Sequence, residues 1–147
     1  MPTYRCLTVS GRLDDDDRAR MADAITRLHH EVTGAPPYFA QVLFDEVQKD
    51  KVYIGGRPLR FDHVFVHGFI RDGRSAVQRR SLAVRIAEEL ARTMDMESQL
   101  VWVYLTELPA KHMVEFGQLL PEAGDESSWQ ASLPSDLSEW LQSLGRT

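Results

Sequence analysis

His63-Val64-Phe65-Val66-His67-Gly68-Phe69-Ile70 reads as a strand, and a shift of 61 positions lays it on a second strand-like run, Tyr4-Arg5-Cys6-Leu7-Thr8-Val9, at the start of the chain. Both runs are rich in β-branched and aromatic residues. The same shift takes Arg18 to Arg79, Ala22 to Ala83, Ile25 to Ile86, Val42 to Val103 and Glu46 to Glu107. A helical stretch follows each run. In residues 14–33, Met21, Ile25, Leu28 and Val32 fall on one helical stripe; in residues 75–94, Leu82, Ile86, Leu90 and Met94 recur every four. A further strand-like run closes each unit, residues 39–44 in the first and 100–105 in the second. Strand matching strand and helix matching helix under one ungapped shift is the mark of an internal repeat. The expected fold is α/β (α+β), a tandem β-α-β repeat of four main strands with two helices on one face. A crossover helix implies a parallel strand pair within each half.

A chain of 147 residues is most simply one domain, with halves of about 2–61 and 62–121 and a tail of 122–147. Hydrophobic residues at 43% and charged ones at 27% suit a soluble globular protein. A net charge of −5 without a basic patch speaks against nucleic acid as partner. Cys6, the single cysteine, cannot form an intramolecular disulfide and suits a reducing compartment. No secretory h-region and no apolar run of membrane-spanning length appear, so a cytoplasmic protein without a membrane partner is expected. Residues 52–56 read as a small hairpin arm whose edge invites a second chain, hence an oligomer. The acidic tail is expected to end in a helix capped at Ser135. Leu137, Trp140, Leu141 and Leu144 would face the body, and Gly145 would stop the helix.

Several polar residues interrupt this pattern. Pro2 aligns with His63, so only the first half offers an N-terminal proline. Removal of Met1 would expose a secondary amine there, which no internal residue can supply. At about 100° per residue, His29 stands roughly 80° from Met21, at the edge of the apolar stripe, while His30 points to solvent. His29 can be read as a packed histidine bonding a carbonyl, or as part of a pocket lining. Arg71-Asp72-Gly73-Arg74-Ser75 ends a strand, turns on Gly73 and caps a helix with Ser75. Two guanidiniums around a helix N-terminus make an anion site suited to a carboxylate, although two solvated arginines fit as well. Glu115 in a loop and Tyr104 in a strand are, by position alone, a solvent-facing carboxylate and a core or interface tyrosine.

Taken together, these positions resemble the tautomerase superfamily, specifically its cis-3-chloroacrylic acid dehalogenase group. The resemblance rests on Met1-Pro2, the long repeat, His29, Arg71-Asp72-Gly73-Arg74-Ser75, Val101-Trp102-Val103-Tyr104 and Met113-Val114-Glu115-Phe116-Gly117. It spans residues 2 to about 121. It implies a homotrimer in which Pro2 is the catalytic amine and Arg71, Arg74 and His29 hold a small carboxylate substrate. Glu115 with Tyr104 would activate water, Tyr104 reaching in from the same or a neighbouring subunit. The proline-rich loop Gly34-Ala35-Pro36-Pro37-Tyr38 and Phe116, where an aromatic with a hydroxyl is familiar, depart from the group.

The chemistry so implied is hydration or hydrolytic dehalogenation of a 3-substituted acrylate, with no cofactor and no metal. Glu115 would take a proton from water, and protonated Pro2 would deliver one to the α-carbon. The alternative is a keto–enol tautomerase in which neutral Pro2 is the base. A third reading, a non-catalytic carboxylate binder, follows if Met1 is retained, because the nitrogen of Pro2 is then an amide.

Overall fold

The computed structural model describes residues 2–144. Its elements are β1 (Thr3–Val9), α1 (Asp15–Thr33), β2 (Gln41–Val47), β3 (Tyr53–Ile54), β4 (Arg57–Pro58), β5 (Val64–Arg71) and α2 (Ala76–Thr93). They continue with β6 (Val101–Leu108), β7 (Val114–Glu115), β8 (Gln118–Leu119), α3 (Glu126–Ala131) and α4 (Ser135–Leu144). The repeat goes further than the sequence reading expects. The shift of 61 also lays the hairpin β3–β4 on β7–β8, and the 3-10 turns Pro37–Phe39 and Lys49–Lys51 on Ser98–Leu100 and Ala110–His112. Each half is strand, helix, strand, hairpin.

Local chemistry sets the helix limits. The Asp14 carboxylate accepts from the Asp17 amide at 2.7 Å while the Asp17 carboxylate accepts from the Asp14 amide, a reciprocal cap that opens α1. Ser75 and Gln78 do the same for α2. Gly34, in the left-handed region, closes α1. The repeated arginines make a repeated contact: Arg18 donates to the Leu13 carbonyl, and Arg79, 61 positions on, donates to that of Arg74. Arg79 also pairs with Glu107 at 3.1 Å, so the turn that displays Arg74 is anchored from both sides.

The sheet order is β2-β1-β5-β6, with β1–β2 and β5–β6 parallel and β1–β5 antiparallel. Both helices cover one face. Met21, Ile25 and Leu28 of α1 and Leu82, Ile86 and Leu90 of α2 bury against Tyr4, Cys6, Val64, Val66 and Ile70. The opposite face is uncovered and carries Leu43, Phe65, His67, Phe69, Trp102 and Tyr104, with Phe65 edge-on to Tyr104 at 5.0 Å and His67 against Phe69 at 4.2 Å. Among the described residues, no helix is long and apolar enough to cross a membrane.

A second, smaller core lies under the tail, where Phe39, Ala110, Leu120, Trp129, Leu133 and Leu141 pack together. Helix α4 begins at Ser135, one residue earlier than a Ser135 cap would require, and the Pro134 carbonyl accepts its first bond. Leu141 is buried and Leu137 partly so, as expected. Trp140 and Leu144 are not: both are about half exposed, and of the α4 side chains only Leu141 and Leu137 pack into the tail core. Gly145 lies outside the described residues.

Candidate active site

The antiparallel β1–β5 pairing brings the beginning of the first half beside the end of the second half's first strand. Thr3 pairs with Phe69, so continuing the antiparallel register sets Pro2 opposite Ile70, one residue before Arg71. Pro2 is buried, and its carbonyl accepts from the Gln41 amide at 2.9 Å. Helix α1 runs back along the sheet, so its last turns return to this same edge. There His29, 3% exposed, meets Tyr4: the Tyr4 hydroxyl lies 2.7 Å from His29 Nδ1, and the rings stand edge to face at 5.8 Å. His30, next in sequence, is exposed as expected and bonds the Ala35 carbonyl.

The polarity of that hydrogen bond can be assigned. Burial raises the Tyr4 hydroxyl above its ordinary range, so it stays protonated, and among the described residues it has no other recorded acceptor. Tyr4 therefore donates to Nδ1, and neutral His29 carries its proton on Nε2. Burial, then Arg74, then Arg71 push the His29 imidazolium down to about 3. His29 is a neutral donor at any ordinary pH. Gly68 makes room for Tyr4: a Cβ there would stand 2.6 Å from Tyr4 Cε1 and 2.8 Å from Leu105 Cδ2.

Arg71 ends β5 and is 5% exposed. Its Nη1 donates to the Pro121 carbonyl and its Nη2 to Glu126 Oε1, each at 2.5 Å, and the guanidinium lies 5.7 Å over the Phe39 ring. The proline-rich loop thus has a visible role, since its 3-10 turn delivers Phe39 beneath Arg71. After Arg71 the chain turns at Gly73, whose φ of +88° belongs to the left-handed region that glycine adopts freely. The turn presents Arg74, half-buried, whose guanidinium is lowered by burial and by Arg71 and supported by Glu126 and Glu107. Among the described residues, no hydrogen bond or ion pair is recorded for it. His29, Arg71 and Arg74 are thus gathered at one edge, close enough to act on one another through charge.

Glu115 and Tyr104 are placed differently. Glu115 is half-buried at the end of β7 and precedes a two-residue turn, Phe116-Gly117, with both φ positive (52° and 78°). That hairpin is braced by the tail core: the Trp129 ring faces Phe116 at 6.2 Å, and its Nε1 donates to the Leu119 carbonyl at 2.9 Å. Tyr104 stands on the uncovered sheet face, 57% exposed. Its strand reaches the level of Arg71 only at Leu108, four residues on, which is about 13 Å along a strand. One chain does not bring Tyr104 to the arginine edge. Among the described residues, no group of three or more His, Cys, Asp or Glu gathers to hold a metal ion.

Two residues that sequence reasoning did not single out belong to this edge, Tyr4 and Glu126. Gly68, isolated inside a strand, was a readable sign that something bulky approaches the backbone there. Glu126 gave no such sign in an acidic tail.

Comparison with known proteins agrees with this architecture. Residues 1–132 match the family described as "Putative oxalocrotonate tautomerase enzyme". The crystal structure of N1, a member of the cis-3-chloroacrylic acid dehalogenase family, superposes with a TM-score of 0.91 at 37% identity, over 96% of this chain and 99% of that one. Native Ps01740 follows at 28% identity and a TM-score of 0.72, over 77% of this chain and 99% of that one. FG41 malonate semialdehyde decarboxylase inhibited by 3-bromopropiolate shares the fold at 18% identity and a TM-score of 0.66, over 90% and 99%. A comparison with curated proteins finds no match. The chain belongs to the tautomerase superfamily and, within it, to the cis-3-chloroacrylic acid dehalogenase family.

Proposed function

We propose that the protein is a cofactor-independent enzyme that hydrates a small 3-substituted acrylate, dechlorinating cis-3-chloroacrylate to malonate semialdehyde. The observation that carries this reading is the gathering of His29, Arg71 and Arg74 beside Pro2 at one sheet edge. With Met1 removed, the Pro2 amine would stand next to a positive pole suited to a carboxylate. Held there, the substrate would lose electron density from its β-carbon. Neutral His29 would donate from Nε2 to the enediolate oxygen that develops.

Water adds across the double bond. Glu115, aided by Tyr104, takes one proton as oxygen bonds to C3, and the Pro2 ammonium gives its proton to C2. The chlorohydrin then loses HCl to leave the aldehyde. The assembly is proposed to be a homotrimer, because the uncovered sheet face exposes the aromatic side chains of Trp102 and Tyr104, and pairing it with another copy would bury Tyr104 near a second edge.

A proton NMR time course with cis-3-chloroacrylate tests the reading on protein whose intact mass shows Met1 absent. Malonate semialdehyde should appear and be lost on Pro2→Ala. Glu115→Gln should lower hydration by 10²-fold or more, on the order of a lost general base, and spare much of any phenylpyruvate tautomerisation. Hydration untouched in Glu115→Gln would sink the mechanism. A second reading, keto–enol tautomerisation with Pro2 as base, is favoured by Arg71 and Arg74, whose charge lowers a nearby amine. Enol conversion without any dehalogenation would select it.

A further inference from the structure

The carboxylate of Glu126 is seated where a ligand carboxylate would be expected. Arg71 gives Nη2 to Glu126 and Nη1 to the Pro121 carbonyl, while Phe39 covers a guanidinium face. The other Glu126 oxygen accepts from the Gly124 amide at 2.9 Å, so the carboxylate is held at both ends. Its helix is fastened in turn: Trp129 stacks on Phe39 at 5.4 Å, and Gln130 accepts from the Tyr38 hydroxyl at 2.7 Å. Arg71 and Glu126 are 4% and 13% exposed at their side chains, so little water competes for the pair. Arg74, three residues on, has no such counter-ion within bonding distance among the described residues, because Glu107 is paired to Arg79.

At this edge Arg71 is paired with Glu126, whereas Arg74 makes no ion pair among the described residues. We infer that Glu126 is a specificity-determining residue: as an internal carboxylate it competes for Arg71 and restricts the site to monocarboxylates bound through Arg74. A dicarboxylate would have to displace Glu126 from a buried, doubly anchored pair, which is unfavourable. Arg71 then acts through its charge and through the position it gives the turn bearing Arg74. This inference rests on the carboxylate-site reading above.

Binding of acrylate and of maleate, its cis-dicarboxylate counterpart, tests this by calorimetry on the Met1-processed protein without any need for turnover. The unaltered protein should prefer acrylate, and Arg74→Ala should abolish that binding. In Glu126→Gln, maleate should gain roughly tenfold relative to acrylate, while Glu126→Asp, which keeps the charge, should restore the preference. A preference for acrylate that is the same in Glu126→Gln overturns the inference and leaves the carboxylate-site reading standing. Failure of both acids to bind the unaltered protein, or binding indifferent to Arg74→Ala, overturns both. Should Glu126→Gln not fold, side-chain NMR of arginine-labelled unaltered protein decides. Acrylate should shift the Arg74 Nε–H signal and leave that of Arg71 in place; a comparable shift at Arg71 would show that Glu126 yields to a ligand.

Discussion

Tyr4 and His29 share one buried hydrogen bond, and its consequences reach beyond the site. A histidine in an unfolded chain titrates near 6.5, whereas folded His29 is held down to about 3. Between those values the unfolded state binds the extra proton, so stability must fall as pH drops through this window. The slope from one such group is at most about 1.4 kcal/mol per pH unit, and it vanishes above the unfolded value. His63 is also lowered by burial, so the His29 share is the difference from His29→Asn. Urea unfolding between pH 7 and pH 5 should show a shallower loss in His29→Asn; equal slopes would mean that folded His29 is charged. A second expectation concerns the room made for Tyr4. Gly68→Ala puts a methyl within 2.6 Å of the Tyr4 ring and should cost about 1–3 kcal/mol, as overpacking does. It should also shift the His29 ring nitrogen signals as the bond to Tyr4 is disturbed. An unchanged histidine spectrum would show that Leu105 yields instead. The candidate site residues carried by motif could be named from the sequence, and Gly68 hinted at a close approach, but the partners that create these two effects could not be named. Both depend on a side chain reaching across from another element, which no local spacing encodes.

At the scale of elements, the two helices and four long strands were readable because each carries a period: apolar residues every three or four on the helices, β-branched runs in the strands. Their caps, Asp14 and Ser75, obey local rules that need only three residues of context. The tail behaves otherwise. Helix α3 has six residues and no stripe, and its single buried side chain, Trp129, makes sense only against Phe39 and Leu119 from distant parts of the chain. The same lack of local signal explains Trp140 and Leu144, whose apolar character suggested a buried face and which stay about half exposed. The tail core is separate from the main one and should open separately. Trp129→Ala should cost about 3 kcal/mol, in the range for losing a buried tryptophan. In hydrogen exchange, α3 and α4 should lose protection while β1 and β5 keep theirs. Loss of protection throughout would show that the two cores form one cooperative unit.

For the whole molecule, the decisive surface is the sheet face that the helices leave bare. Trp102 and Tyr104 stand 38% and 57% exposed there beside Phe65, exposed aromatics of the kind that mark an interface. Light scattering should give three times 16.8 kDa, about 50 kDa, and Trp102→Asp should reduce it toward the single chain. Under the proposed mechanism, the same substitution should also abolish hydration, because Tyr104 would lose its access to a second edge. A fully active monomer would sink both the assembly and that role for Tyr104.

The repeat has one more consequence, for how such a chain can diverge. If the two β-α-β-hairpin units were separate copies of one polypeptide, each would carry the same residues, and any change would appear on both sides of the β1–β5 seam. Joined in one chain, the units mate in fixed one-to-one proportion and each is free to drift alone. The division is visible: Pro2 and His29 come from the first unit, and Arg71, Arg74 and Glu115 from the second. Ser10 and Leu13 stand at the first-unit positions of Arg71 and Arg74. Two equivalent parts of one chain thus carry different residues, Pro2 and His29 in the first and the guanidiniums of Arg71 and Arg74 in the second.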